Sequence, residues 1–202
     1  MGQEVAQVVY LFAWAAFAIC HSWLAGKTAK ETYGKRLGPY YRLSYNILAA
    51  VQLAALVAFG AWAFEGGRPV EPFAGWKPAL TVIAIAGWTL LILALRTYDL
   101  GRFAGTAQIR EWRETGRWED EEALNTSGFH AYVRHPLYAA GFMILWGAAW
   151  TDFALATAVW GTLYLVIGAR FEERRLARLH GDAYRDYKRR VPAFVPWKGR
   201  AL

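Results

Sequence analysis

A chain of 202 residues that is 56% apolar and 16% aromatic, with positive mean hydropathy, is greasier than a soluble domain of that length. It is expected to be one membrane domain over residues 1–202. The net charge of +7 reflects where Lys and Arg lie against a membrane and its anionic lipid, so no nucleic-acid partner is expected. Cys20 is the only cysteine, which excludes intramolecular disulfides and thiolate-rich metal sites, and no metal is expected.

Charge-free stretches run over 5–26, 43–64, 78–95, 135–151 and 153–169, with lengths of 22, 22, 18, 17 and 17 residues. At about 1.5 Å per residue the first three can cross a hydrocarbon core of roughly 30 Å. Only Asp152 separates the last two, which read as a tight helical hairpin turning at the far interface of a locally thinned bilayer. The expectation is an all-α integral membrane protein with five transmembrane helices at about 5–26, 43–64, 78–96, 136–151 and 153–171. A cytoplasmic amphipathic cap follows over 172–197. Twenty-one of the 23 basic residues fall on one side of this arrangement, which puts the N-terminus outside and the C-terminus in the cytoplasm. The start M-G-Q-E-V-A has no basic n-region, so the first span is expected to persist in the mature protein.

The first span ends in C-H-S-W-L-A-G-K, with His21 near the cytoplasmic edge. An ionisable group at that depth is a functional candidate, and an interfacial histidine bonded to backbone or water is the equal alternative. The basic loop E-T-Y-G-K-R-L-G-P-Y-Y-R suits a headgroup-level turn, and E-G-G-R-P-V-E-P-F-A-G-W reads as an external connector. From Thr97 to Arg134 the chain is polar and too long for a simple turn. Its part G-T-A-Q-I-R-E-W-R-E-T-G is helical in character, and W-E-D-E-E, with Asp120, Glu121 and Glu122, reads as a solvated acidic patch.

The stretch G-F-H-A-Y-V-R-H-P-L-Y, residues 128–138, sets ionisable and aromatic side chains where a loop becomes a membrane helix. Pro136 is best tolerated in a first helical turn, so the next helix starts there, with His135 at or beside the N-cap. The amides and positive dipole end of that helix favour a carboxylate or phosphate. In the tail, Leu176, Leu179, Ala183 and Tyr187 recur at helical spacing as an amphipathic stripe. Pro192 and Pro196 fix V-P-A-F-V-P-W as an extended strap.

In a tight hairpin the start of the fourth span and the end of the fifth share one membrane face. Arg134, His135 and Tyr138 then approach Arg170, Glu172, Glu173 and Arg174. This mixed-charge set suits a cytosolic ligand carrying both charges and a flat ring, and S-adenosylmethionine fits that description. Salt bridges that merely stabilise the hairpin would use the same residues, so the residues alone leave both readings open.

The pairing of R-H-P-L-Y with E-E-R-R-L-A-R-L-H-G-D-A-Y-R-D-Y-K-R-R-V-P resembles the isoprenylcysteine carboxyl methyltransferase superfamily of integral membrane methyltransferases. C-H-S-W-L-A, Y-R-L-S-Y-N and Y-D-L-G-R-F-A-G-T-A-Q are similar to its bacterial branch of methanethiol S-methyltransferases and NnrU proteins. The resemblance implies S-adenosylmethionine as cofactor, held by Tyr132, His135, Pro136, Tyr138, Glu172, Tyr184 and Tyr187. The superfamily's glycine two residues after the motif tyrosine is Ala140 here, followed by Gly141, which shifts the closest helix or cofactor approach.

For chemistry, Arg134 or Arg174 would favour a thiolate acceptor, with His135 or Glu173 taking the proton. The expected partners are the lipid bilayer of a bacterial inner membrane and a small apolar or lipid-like methyl acceptor entering from it, with the cofactor entering from the cytoplasm. A non-catalytic NnrU-like membrane protein and an NADPH-dependent membrane reductase are the alternatives.

Overall fold

The computed structural model describes residues 2–119 and 123–198, so Asp120, Glu121 and Glu122 of the predicted acidic patch lie outside the described residues. Those residues form helices and turns with no strand, and one isolated bridge joins Pro69 to Thr151. Among the described residues, four helical stretches are long and apolar enough to cross a membrane, as befits a multi-pass membrane protein. The chain divides into two compact units, Met1–Gly66 with Tyr98–Glu121, and Gly67–Thr97 with Glu122–Leu202.

The first unit holds α1 (Gln3–Ala25), α2 (Lys27–Leu37), α3 (Tyr41–Ala63), α5 (Leu100–Ala104) and α6 (Thr106–Thr115). Ala6, Tyr10, Trp14 and Phe17 recur at the helical period and are the buried stripe of α1, while Val8, Phe12 and Ile19 stay exposed, as lipid-facing residues do. The rings on that stripe meet edge to face, Tyr10 on Trp14 and on Phe64, and Trp14 on Phe17. His21 continues the ladder and its Nε2 lies 2.7 Å from the Tyr45 hydroxyl of α3. The polar loop is ordered by caps. Asp99 accepts from the Arg102 amide at the start of α5, and Asn46 donates to the Phe103 and Ala104 carbonyls at its end.

The second unit holds α4 (Lys77–Leu95), α7 (Pro136–Gly147) and α8 (Asp152–Arg190). Helices α4 and α7 pack backbone to backbone. A Cβ built on Gly87 would lie 2.8 Å from the Ile144 amide and 3.0 Å from the Ala140 carbonyl, and one on Gly147 would run into the Ala84 backbone. The glycine expected near position 140 is thus supplied from the facing helix, and Ala140 is fully buried against it. Helix α7 has 12 residues, about 18 Å of rise, shorter than the predicted 136–151 span because Ala148–Trp150 form a turn.

That turn is strapped to the connector before α4. Asp152, 5% exposed, accepts from the Arg68 and Phe153 amides and donates its own amide to the Arg68 carbonyl, while the Val70 amide bonds to the Trp150 carbonyl. Helix α8 begins under the Thr151 cap and runs for 39 residues, interrupted at Gly181, whose φ of 55° only glycine adopts freely. This break shifts the phase of the apolar stripe. The buried positions are Tyr184, Tyr187 and Val191, packed with Leu176, Ala177 and Leu124, whereas Leu179 and Ala183 of the predicted stripe are exposed.

Candidate functional site

The site forms in the second unit where the loop before α7, the C-terminal half of α8 and the strap after it meet. A 3₁₀ turn, Gly128–Ala131, folds the loop, and His135 stands at the N-cap of α7 with Pro136 in its first turn. The strap runs alongside as the prolines dictate. The Arg134 amide donates to the Pro192 carbonyl at 2.9 Å and the His135 amide to the Ala193 carbonyl at 3.0 Å.

Glu173 is the hub. The Arg134 Nε donates to its Oε1 at 2.8 Å with a second contact from the same guanidinium, His135 Nε2 lies 3.2 Å from that oxygen, and Lys188 Nζ is 2.6 Å from Oε2. The side chains of Glu173 and Arg134 are 10% and 9% exposed. Burial alone would raise the Glu173 pKa, yet the hydrogen bonds from His135, Lys188 and Arg134 outweigh it and hold the carboxyl well below the usual carboxylate range. Arg134 spends its remaining reach on the Lys188 and Val191 carbonyls and so closes the C-terminus of α8.

Glu172 differs from its neighbour. It is 37% exposed, accepts from the Tyr138 hydroxyl at 3.0 Å and lies 3.6 Å from His135 Nδ1. Above it the His135 and Tyr138 rings stack, 5.2 Å between centroids and 9° apart in plane. Phe194 of the strap leans on His135 at 5.6 Å and meets Phe142 edge to face at 5.0 Å. Tyr184 is 1% exposed and its hydroxyl lies beside Arg134, with no other hydrogen-bond partner among the described residues. Burial first and then the Glu173 charge push its pKa up. Tyr187 donates to the His130 carbonyl at 2.6 Å, and burial pushes its hydroxyl up to about 12.

Of the predicted residues, Arg134, His135, Pro136, Tyr138, Glu172, Glu173, Tyr184 and Tyr187 come together. Tyr132 is 47% exposed on the loop. Arg174 points away as an exposed residue over the Phe171 ring, and Arg170 is exposed as well. Arg174 stands one residue after Glu173, about 100° around the helix, which turns it off the face that meets the loop. Tyr184 and Tyr187 serve the cap's core as much as any ligand, since both face Leu176 and Val191. Sequence reasoning passed over His130, Lys188 and Phe194. Lys188 lies fifteen residues after Glu173, beyond the break at Gly181, so helical spacing gave no signal for their pairing.

A helix start, a half-exposed acid and a stack of rings are thus built from R-H-P-L-Y and E-E, the two motifs that carry the resemblance to integral membrane methyltransferases. Comparison with known proteins agrees. Residues 43–191 match the family described as a protein of unknown function, DUF1295, and the chain belongs to that family within the isoprenylcysteine methyltransferase-like superfamily of methyltransferases. It is 30% identical over 202 residues to methanethiol S-methyltransferase 1 of Bradyrhizobium diazoefficiens, covering 96% of this chain and 68% of that one. It is 29% identical over 205 residues to the methanethiol S-methyltransferase of Mycobacterium tuberculosis, covering 99% and 81%. A more distant relative is the protein-S-isoprenylcysteine O-methyltransferase of Rattus norvegicus, 35% identical over 125 residues, which cover 58% of this chain and 43% of that one. No solved structure matches the chain.

Proposed function

We propose that this chain is an S-adenosylmethionine-dependent methyltransferase of the bacterial inner membrane, with five spans and its site facing the cytoplasm. Its acceptor is a small apolar or membrane-dissolved molecule, a thiol by preference and an isoprenylcysteine-like carboxylate as the second choice. The observation that carries this reading is the division of labour between the two adjacent acids. Glu173 is satisfied by two cationic side chains, Arg134 and Lys188, and by the His135 ring, while Glu172 stays half-exposed beside stacked rings and a helix start.

The residues fit the methyl donor. The buried Tyr184 hydroxyl, which only Arg134 approaches among the described residues, leaves a polar position for a ligand or water to fill. The faces of Tyr138 and Phe194 suit a sulfonium or an adenine, Glu172 suits an ammonium, and the first-turn amides of α7 suit a carboxylate. Bound there, S-adenosylmethionine would supply an electrophilic methyl group on a good leaving group.

The chain's own residues then position and deprotonate. Glu173 is a poor base, because its charge is held by Arg134, Lys188 and His135. His135 donates through Nε2 to Glu173, which leaves Nδ1, 3.6 Å from Glu172, to take a thiol proton. The two carboxylates on either side stabilise the imidazolium that results. Arg134, saturated by Glu173 and the α8 carbonyls, braces the loop and does not meet the acceptor.

Calorimetry with S-adenosylmethionine in detergent, followed by mass spectrometry of products from a panel of thiols, lipid amines and prenylated cysteines, tests the proposal. His135→Ala and Glu172→Ala are expected to lose donor affinity while keeping the thermal midpoint near wild type for Glu172→Ala. Unchanged affinity in both variants would move the site elsewhere.

A further inference from the structure

His130 has no part in the reading above, yet it sits at the centre of the loop. It is 9% exposed, its amide donates to the Ser127 carbonyl at 3.0 Å, and its own carbonyl receives the Tyr187 hydroxyl at 2.6 Å. Its ring reaches across the turn, with Nδ1 3.2 Å from the Arg134 carbonyl. That carbonyl and the His135 amide are the two poles of one peptide, and the amide pole is held by Ala193 at 3.0 Å. Arg134 and His135 project from the two ends of this peptide. Fixing this peptide fixes ψ of Arg134 and φ of His135, the torsions at the two Cα atoms from which both side chains reach the same Glu173 oxygen.

We propose that His130 is a positioning residue that locks the Arg134–His135 peptide by donating Nδ1–H to the Arg134 carbonyl, and thereby sets the orientation of both site side chains. A carbonyl only accepts, so the ring must carry its proton on Nδ1. This assignment rests on the methyltransferase reading only for its consequence in binding; the tautomer stands without it. Burial, and then the neighbouring His135, lower the His130 pKa, against the Arg134 carbonyl and Glu172, which raise it. The net effect keeps the ring neutral at pH 7 and makes its tautomer a measurable property. The titratable groups that act on the ring include His135 and Glu172, and the Tyr187 hydroxyl lies on its carbonyl.

Two measurements decide it. Nitrogen-15 NMR of histidine-labelled protein in detergent, with the His130 signals assigned by their loss in His130→Asn, is expected to show the Nδ1–H tautomer at pH 7.5. An Nε2–H ring would overturn the proposal, whether or not the protein binds a methyl donor. The second uses the isosteres. An asparagine amide nitrogen falls near the Nδ1 position and a glutamine one near Nε2, so His130→Asn is expected to keep donor affinity within about threefold while His130→Gln and His130→Phe lose about tenfold or more. A residue that merely fills space would rank the larger Phe and Gln above Asn, and that order would overturn the positioning role. Failure of the wild-type protein to bind S-adenosylmethionine would end the methyltransferase reading and leave the NMR result to judge His130.

Discussion

Two cations, Arg134 and Lys188, and the His135 ring converge on the buried Glu173, which makes this carboxylate the most consequential single side chain in the second unit. Removing one member of a buried ion cluster leaves the others uncompensated, at a cost of about 3–5 kcal/mol. Glu173→Gln is therefore expected to lower the thermal midpoint in detergent steeply, whereas Glu172→Gln, on a half-exposed acid, should lower it little and reduce donor affinity instead. Glu173 lies beyond the charge-free part of α8. Its folded pKa is depressed below the ordinary value of 4.5, so its stabilising effect is full above that pH and is lost as pH falls below it toward the folded value. Thermal melts from pH 7 downward should show a loss of stability in wild type that sets in below about pH 4.5 and is blunted in Glu173→Gln. Equal acid sensitivity in the two proteins would show that another group carries the transition. The knot was half legible in the sequence. Arg134, His135, Glu172 and Glu173 stood out as ionisable residues at helix ends, but which acid would be used up internally depends on Lys188 and on the strap, and neither has a local signal.

Helices α4 and α7 are held by contact of backbone on backbone, and this is where sequence patterning is weakest. Both are apolar on every face, so no stripe reveals the partner, and only the placement of Gly87 and Gly147 encodes it. Gly87→Leu would have to displace the Ile144 and Ala140 backbone, so it is expected to abolish accumulation of folded protein in the membrane, measured by size-exclusion of a fluorescent fusion. Gly141→Ala meets only the end of the Leu165 side chain at 3.3 Å and should be tolerated. The start of α7 was legible for the opposite reason, since Pro136 fixes a first helical turn with a local rule. Its end was not. A charge-free interval counts turn residues such as Ala148 and Trp150 as though they were helical, and the buried Asp152, which looked like a bare separator, is a cap and a clamp on Arg68. In α8 the stripe Leu176, Leu179, Ala183, Tyr187 assumed an unbroken helix. Gly181 sits at φ 55° and resets the phase, so Gly181→Ala should cost about 1–2 kcal/mol of stability and disturb the cap that bears Tyr184.

At the scale of the whole molecule, the distribution of Lys and Arg argues for a topology that helix length alone does not decide. Four stretches are long enough to span, and α7, at about 18 Å, falls short of a 30 Å core on its own. If α7 did not cross, the connector 64–76 and the turn 148–152 would still lie together, because Arg68 and Val70 are bonded to Asp152 and Trp150. The N-terminus of α4 and the start of α8 therefore share one side whatever the bilayer does. The loop holding Arg134 and the end of α8 share the other, through Glu173. The positive-inside bias predicts that the side holding Arg68 and Lys77 is external, and this prediction can be tested. Single cysteines introduced at Glu71 and at Arg117 in a Cys20→Ser background separate the possibilities. A membrane-impermeant maleimide applied to intact spheroplasts is expected to label Glu71→Cys and to leave Arg117→Cys unlabelled until the membrane is opened. Labelling of Arg117→Cys alone would invert the predicted topology, and labelling of both from outside would show that no membrane crossing separates them; either result would overturn the prediction.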